Sequence, residues 1–103
     1  MRVRILPSAK GDLREGFHFY QSQDPGVGDY FRDFILAEID TLASYAGIHR
    51  FRGGLHRFLA HKFPYWIYYR VDGQVVYVVA ILDARQDPRK IAGRENRESK
   101  RKL

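Results

Sequence analysis

Side chains able to handle phosphate or move protons are concentrated in two stretches of this chain. Residues 49–62 carry four cations (Arg50, Arg52, Arg57, Lys62) and three histidines (His49, His56, His61), interleaved with Phe51 and Phe58 and without a single acid. Residues 85–103 carry eight cations (Arg85, Arg89, Lys90, Arg94, Arg97, Lys100, Arg101, Lys102) against three acids (Asp87, Glu95, Glu98). Cationic side chains hold phosphate and carboxylate oxygens through charge-assisted hydrogen bonds. Aromatic rings between them offer faces on which bases stack, so a basic, aromatic strand is able to carry a phosphate backbone. The same residues also suit the plain solvated face of an exposed strand, and the tail suits a frayed terminus. Charge alone chooses neither nucleic acid nor an acidic protein as partner.

Other chemistries lack their residues. The chain has no cysteine, which removes disulfides, thiolate zinc sites and cysteine nucleophiles together and suits a reducing cytoplasm. Gly53-Gly54 is not followed by the glycine, lysine and Ser/Thr of a phosphate loop and reads as a turn. The spacing of His56 and His61 puts them on opposite faces of a strand, with no neighbouring carboxylate, so neither a metal nor another cofactor is expected. His18, between Phe17 and Phe19, reads as a helix-surface residue. No motif declares catalysis by spacing alone.

The elements that must position these groups follow from periodicity. With 103 residues, 45% of them hydrophobic, the chain is one domain with a real core. Its net charge of +6 is concentrated in the tail, because residues 1–84 hold ten Lys/Arg against nine Asp/Glu. Residues 1–6 lack the apolar core of roughly 7–15 residues that a signal peptide needs, and no apolar run approaches the about 20 residues of a membrane span. Val3 and Ile5 alternate with Arg2 and Arg4, predicting a strand that Pro7 stops. Ser8 is the expected N-cap of a helix over residues 9–22, where Ala9, Leu13, Phe17 and Tyr20 recur at helical spacing and Gly16 allows close packing. After the Asp24-Pro25-Gly26 turn, Phe31, Phe34, Ile35, Ile39 and Leu42 share a stripe that predicts a second helix over residues 28–44. Strands are expected at 55–62, 63–71 and 74–82, the last two joined by the Asp72-Gly73 hairpin turn. Phe63, Tyr65, Ile67, Tyr69 and Val71 should face the helices, leaving Trp66, Tyr68, Val76 and Val78 for the other side. The expected fold is α+β in the order β-α-α-β-β-β: an N-terminal strand and an antiparallel helix hairpin packed on one face of an antiparallel sheet. It occupies residues 1–90, followed by a basic C-terminal tail over 91–103.

The run Arg57-Phe58-Leu59, then Phe63-Pro64-Tyr65-Trp66-Ile67-Tyr68-Tyr69-Arg70-Val71-Asp72-Gly73, then Val78-Val79-Ala80-Ile81-Leu82-Asp83-Ala84-Arg85-Gln86-Asp87-Pro88, resembles the bacterial RelE/ParE toxin superfamily, in its ParE-like branch. Ala9-Lys10-Gly11-Asp12-Leu13, Tyr20 and Gly28-Asp29-Tyr30-Phe31 extend the resemblance through the first half. It implies the toxin of a type II toxin–antitoxin pair of the plasmid-stabilising kind, neutralised by a small acidic antitoxin. ParE-like members inhibit DNA gyrase; RelE-like members cleave messenger RNA on the ribosome. Because the two share a fold, site residues must discriminate.

Cleavage of RNA without a metal needs cations on the developing charge and groups that move protons. Carried onto this sequence, the RelE-like pattern puts Arg57 and Arg85 at its cationic positions. Its middle-strand arginine falls at Trp66 and its tail tyrosine near Ile91. No tyrosine follows residue 77, no histidine follows His61, and Asp83 stands where some relatives have a histidine. Gyrase-type toxicity is therefore expected. Ribosome-dependent cleavage by Arg57, Lys62 and Arg85, and a non-toxic antitoxin- or nucleic-acid-binding member, are the alternatives. Arg57, Trp66, Tyr68, Arg85, Arg89, Lys90 and Arg94 are the expected contacts to target or partner.

Overall fold

The computed structural model describes residues 1–101; Lys102, counted above among the tail cations, lies outside them. Strand β1 (Arg2–Ile5) leads into helix α1 (Pro7–Gln23), and helix α2 (Val27–Asp40) returns antiparallel to it. A single turn, α3 (Leu42–Tyr45), then precedes β2 (Arg50–Arg52), β3 (Leu55–Leu59), β4 (Tyr65–Asp72), β5 (Val75–Asp83) and helix α4 (Pro88–Lys100). The sheet order is β1-β5-β4-β3-β2, with β1 parallel to β5 and every other pair antiparallel.

Several boundaries differ from expectation for local reasons. Helix α1 starts at Pro7, whose fixed φ and missing N–H suit a first helical position. Ser8 is consequently inside the helix rather than its cap, and its hydroxyl donates to the Val79 carbonyl at 2.8 Å, tying α1 to β5. The helix expected over 28–44 is broken at Thr41, whose hydroxyl donates to the Glu38 carbonyl at 2.6 Å and competes with the helical ladder. Strand β2 was not anticipated: Gly53 and Gly54 do form the turn, with φ of 61° and 79°, but it is a hairpin turn with a strand on each side.

The helix hairpin covers one sheet face. Phe31, Ile35, Ile39 and Leu42 pack there on Tyr65, Ile67, Tyr69, Val76, Val78 and Ile81. Val76 and Val78 thus face the helices and not the side shared by Trp66 and Tyr68. The reason is a β-bulge: Tyr68 pairs with Ala80 and Tyr69 with Val78, so Val79 is the extra residue and alternation along β5 reverses there. Val79 and Ala80 consecutively face the opposite side, in a second cluster with Leu55, Tyr68 and Leu82, flanked by Leu6, Trp66 and Ile91. Helix α4 lies over this second face and contributes Ile91 as its apolar contact.

Candidate functional site

A helix as polar as α4 stays on an apolar sheet face only if its charges find partners there. Arg94 supplies the main one. Its guanidinium donates to both carboxylate oxygens of Asp12 at 2.8 Å and to Glu98 Oε2 at 2.7 Å. Asp12 of α1 is turned inward, where it also accepts the Ile81 N–H at 2.9 Å. Glu98 is 1% exposed, with Arg101 Nε 3.0 Å from its second oxygen as a charge partner. Arg70 Nη2 donates to the carbonyls of Glu98 and Ser99 near the last turn of α4. Burial disfavours the Arg94 charge, but the hydrogen bonds it donates to Asp12 and Glu98 outweigh it and raise its pKa, so the cation persists at every working pH.

Arg57, Trp66 and Tyr68 are brought together beside this network. The Arg57 guanidinium lies 4.1 Å from the centre of the Trp66 ring and donates to Glu95 of α4 at 3.2 Å. The Tyr68 hydroxyl donates to the same Glu95 oxygen at 2.6 Å. Tyr68 is 2% exposed beneath α4, while Trp66 is half-buried. Burial, and then the Glu95 carboxylate, push the Tyr68 phenol well above its ordinary value. As the chain stands, Trp66 and Arg57 reach the surface; Tyr68 and Arg94 face inward.

Lys62 and Arg85 have other neighbours. Lys62 donates to the Tyr30 hydroxyl at 2.8 Å and lies 4.7 Å from the centre of the Phe34 ring. Arg85 is clasped by Asp83 through Nε and Nη2, both at 3.0 Å, and its Nη2 also donates to the Tyr20 hydroxyl at 3.1 Å. Partial burial would raise the Asp83 carboxyl, yet the Arg85 side-chain and backbone hydrogen bonds outweigh it and hold it below the usual range. Burial, then the Asp83 charge, push the nearby Tyr65 phenol upward. Arg89 folds back on Asp87, and Lys90 lines a cleft of about 500 Å³ with Phe19, Asp83, Arg89, Arg94 and Arg97. The cations Arg57, Lys62 and Arg85 therefore sit in three different environments, two of them occupied by carboxylates.

Sequence spacing missed the acids because they arrive from distant elements. Asp12 meets Arg94, Glu95 meets Arg57 and Tyr68, and Glu38 of α2 accepts both the His61 N–H and its ring nitrogen, at 2.9 and 2.6 Å. His61, expected to have no carboxylate near it, thus has one. The one available signal was that Glu95 and Glu98 are three apart in a polar helix, which places them on one face. Among the described residues no three His, Cys, Asp or Glu side chains gather as metal ligands, and no helix is long and apolar enough to cross a membrane.

Comparison with known proteins agrees with this architecture. A solved structure titled "Chromosomal ParDE TA system from P. aeruginosa" superposes with a TM-score of 0.77 at 19% identity, covering 82% of this chain and 97% of that one. No curated protein matches. The family model described as "ParE toxin of type II toxin-antitoxin system, parDE" matches residues 3–88, and the chain belongs to that family of type II toxins.

Proposed function

We propose that this protein arrests bacterial growth in the cytoplasm by inhibiting DNA gyrase, and that a small acidic antitoxin neutralises it. The observation that carries the reading is the state of Arg85. The cation best placed to stabilise a cleaved phosphate is already neutralised by Asp83, and an acid beside it repels a phosphate ligand. Proton transfer is equally unsupported: the Tyr65 and Tyr68 phenols are pushed upward, further from a pKa near neutral pH, and an arginine with a pKa above ~12 is a poor base. Arg85 in this reading positions the end of β5 for a protein target.

The antitoxin reading draws on charge and on Trp66. The net charge of +6 and the exposed cations Arg89 and Lys90 favour an acidic partner, and the half-buried Trp66 ring with Arg57 above it is an anchor of the kind that dominates interfaces. Tyr68 and Arg94 act from below, by keeping α4 in place. A tight complex would bury about 1,600 Å², and Trp66→Ser should weaken it without unfolding the domain.

One observation favours a second reading, ribosome-dependent cleavage: the Tyr20 hydroxyl lies beside Arg85, where a proton-transfer group would be needed. A supercoiling assay with purified gyrase, run beside primer extension on ribosome-bound messages, separates the two. Inhibited supercoiling with intact messages is expected. Discrete message cuts that vanish in Arg85→Ala and in Tyr20→Phe would replace the gyrase reading with the nuclease one.

A further inference from the structure

Strand β2 is one edge of the sheet, and all three of its residues are exposed. Its register puts Arg50 directly opposite Arg57, a like-charge pair that costs stability unless an anion lies nearby. Glu95 takes Arg57; among the described residues no acid pairs with Arg50 or Arg52, and none occurs in the sequence between Asp40 and Asp72. The three arginines line a groove of about 400 Å³ between the β2–β3 hairpin and α4. On the opposite side of the hairpin runs a row of rings. His56 stacks on Tyr69 at 4.9 Å and 13°, Phe51 lies against His56 at 4.6 Å and 49°, and the row ends in Phe51, 63% exposed. At the hairpin tip a second groove of about 540 Å³ has Phe51 and His56 on its wall together with Arg70, Lys100 and Arg101, and one acid, Asp72.

We propose that this hairpin edge binds a single strand of DNA, with Arg50 and Arg52 on successive phosphates and an unpaired base stacked on Phe51. Two features exclude the nearest alternative, an acidic peptide added as a sixth strand. In a hairpin closed by a two-residue turn, the residues flanking the turn bond to each other, so Phe51 alone directs its N–H and C=O outward. One residue of free edge is too short a template for strand addition. The end of the ring row also calls for a flat π-face, which every base has and a carboxylate lacks. Arg50 and Arg52 stand roughly 6.6 Å apart along the strand, a spacing suited to a repeating charge. Stacking requires an unpaired base, hence a single strand. Only the choice of DNA over RNA rests on the gyrase reading.

The test is fluorescence anisotropy of the full chain with a labelled oligothymidylate of about 20 nucleotides, longer than the roughly 4–16 that one site covers. Competitors are a duplex, an oligouridylate and polyglutamate. Log affinity should fall with log salt, and Arg50→Gln with Arg52→Gln should flatten that slope by about 1.4, at about 0.7 per phosphate contact. Phe51→Ala should weaken binding roughly 5- to 150-fold, and Phe51→Trp should retain it. Undiminished binding by Phe51→Ala, or stronger competition from duplex, oligouridylate or polyglutamate than from unlabelled oligothymidylate, would overturn the proposal. The supercoiling assay stands apart. A chain that binds oligothymidylate with these sensitivities yet leaves supercoiling untouched refutes the gyrase reading and supports this one, whereas a chain that blocks supercoiling and ignores the oligonucleotide does the reverse.

Discussion

Arg94→Met removes the cation that docks α4 and keeps most of the side chain's length and apolar bulk. The deleted guanidinium joins Asp12 and Glu98, whose side chains are 9% and 1% exposed. Asp12 would keep only the Ile81 N–H and Glu98 only the charge of Arg101. Leaving buried charges without their partner costs about 3–5 kcal/mol, a large share of the roughly 5–15 kcal/mol by which a domain of this size is stable. With a urea dependence of about 1–3 kcal/mol per molar, the midpoint should fall by about 1–5 M. Urea titration followed by tryptophan fluorescence is a suitable assay. The chain has one tryptophan, Trp66, and the Arg57 on its ring is held by Glu95 of α4, so its emission reports both unfolding and release of the helix. Arg94→Lys keeps the charge without the two-pronged fork and should fall between parent and methionine variant. Arg89→Met, which breaks only the exposed pair with Asp87, should leave the midpoint unchanged. An Arg94→Met midpoint within about 0.3 M of the parent would refute the claim that these charges, rather than the few apolar contacts of α4, hold the helix in place.

Two further outcomes follow from the core. Burial, and then the charge of His56, hold the His49 imidazole below its ordinary value of 6.5, and Nδ1 lies 2.6 Å from the Tyr69 hydroxyl. The unfolded chain therefore binds a proton at His49 before the folded one does, so stability falls as pH drops below about 6.5 toward the lower folded value. Urea midpoints measured across that window should show the fall in the parent and a shallower one in His49→Gln. In α1, a Cβ at Gly16 would stand 2.6 Å from the Phe31 ring, which Tyr20, Phe63 and Tyr65 hold at centroid distances of 4.8–5.1 Å. Overpacking of about 1–3 kcal/mol should outweigh the ~1 kcal/mol helix gain of alanine. At Gly11 a Cβ meets nothing within 4 Å. Calorimetry should show Gly16→Ala lowering the melting temperature and Gly11→Ala raising it by up to about 4–8 °C.

Periodicity and turn chemistry were sufficient for much of this molecule. The apolar stripe from Phe31 to Leu42, the alternation through Tyr65, Ile67 and Tyr69, and the Asp72-Gly73 turn each report a local repeat, and local repeats survive in one dimension. The family was also legible, because the strand runs from Arg57 to Arg70 and from Val78 to Pro88 are contiguous in sequence. What one dimension omits is pairing across distance. A three-residue strand is too short to show alternation, so β2 exists only because β3 lies beside it. The bulge at Val79 shifts register by one residue, and since side chains alternate with a period of two, that shift sends Val76 and Val78 to the helix side. The tail read as a solvated run of charges because its partners lie far away in sequence. Asp12 sits 82 positions from Arg94 and Glu95 sits 38 from Arg57. Whether a charge faces solvent, a ligand or a buried carboxylate depends on what the fold brings within 3–4 Å of it. The tertiary structure alone decided that Arg94 clamps a helix and that Arg50 and Arg52 remain at an open edge of the sheet.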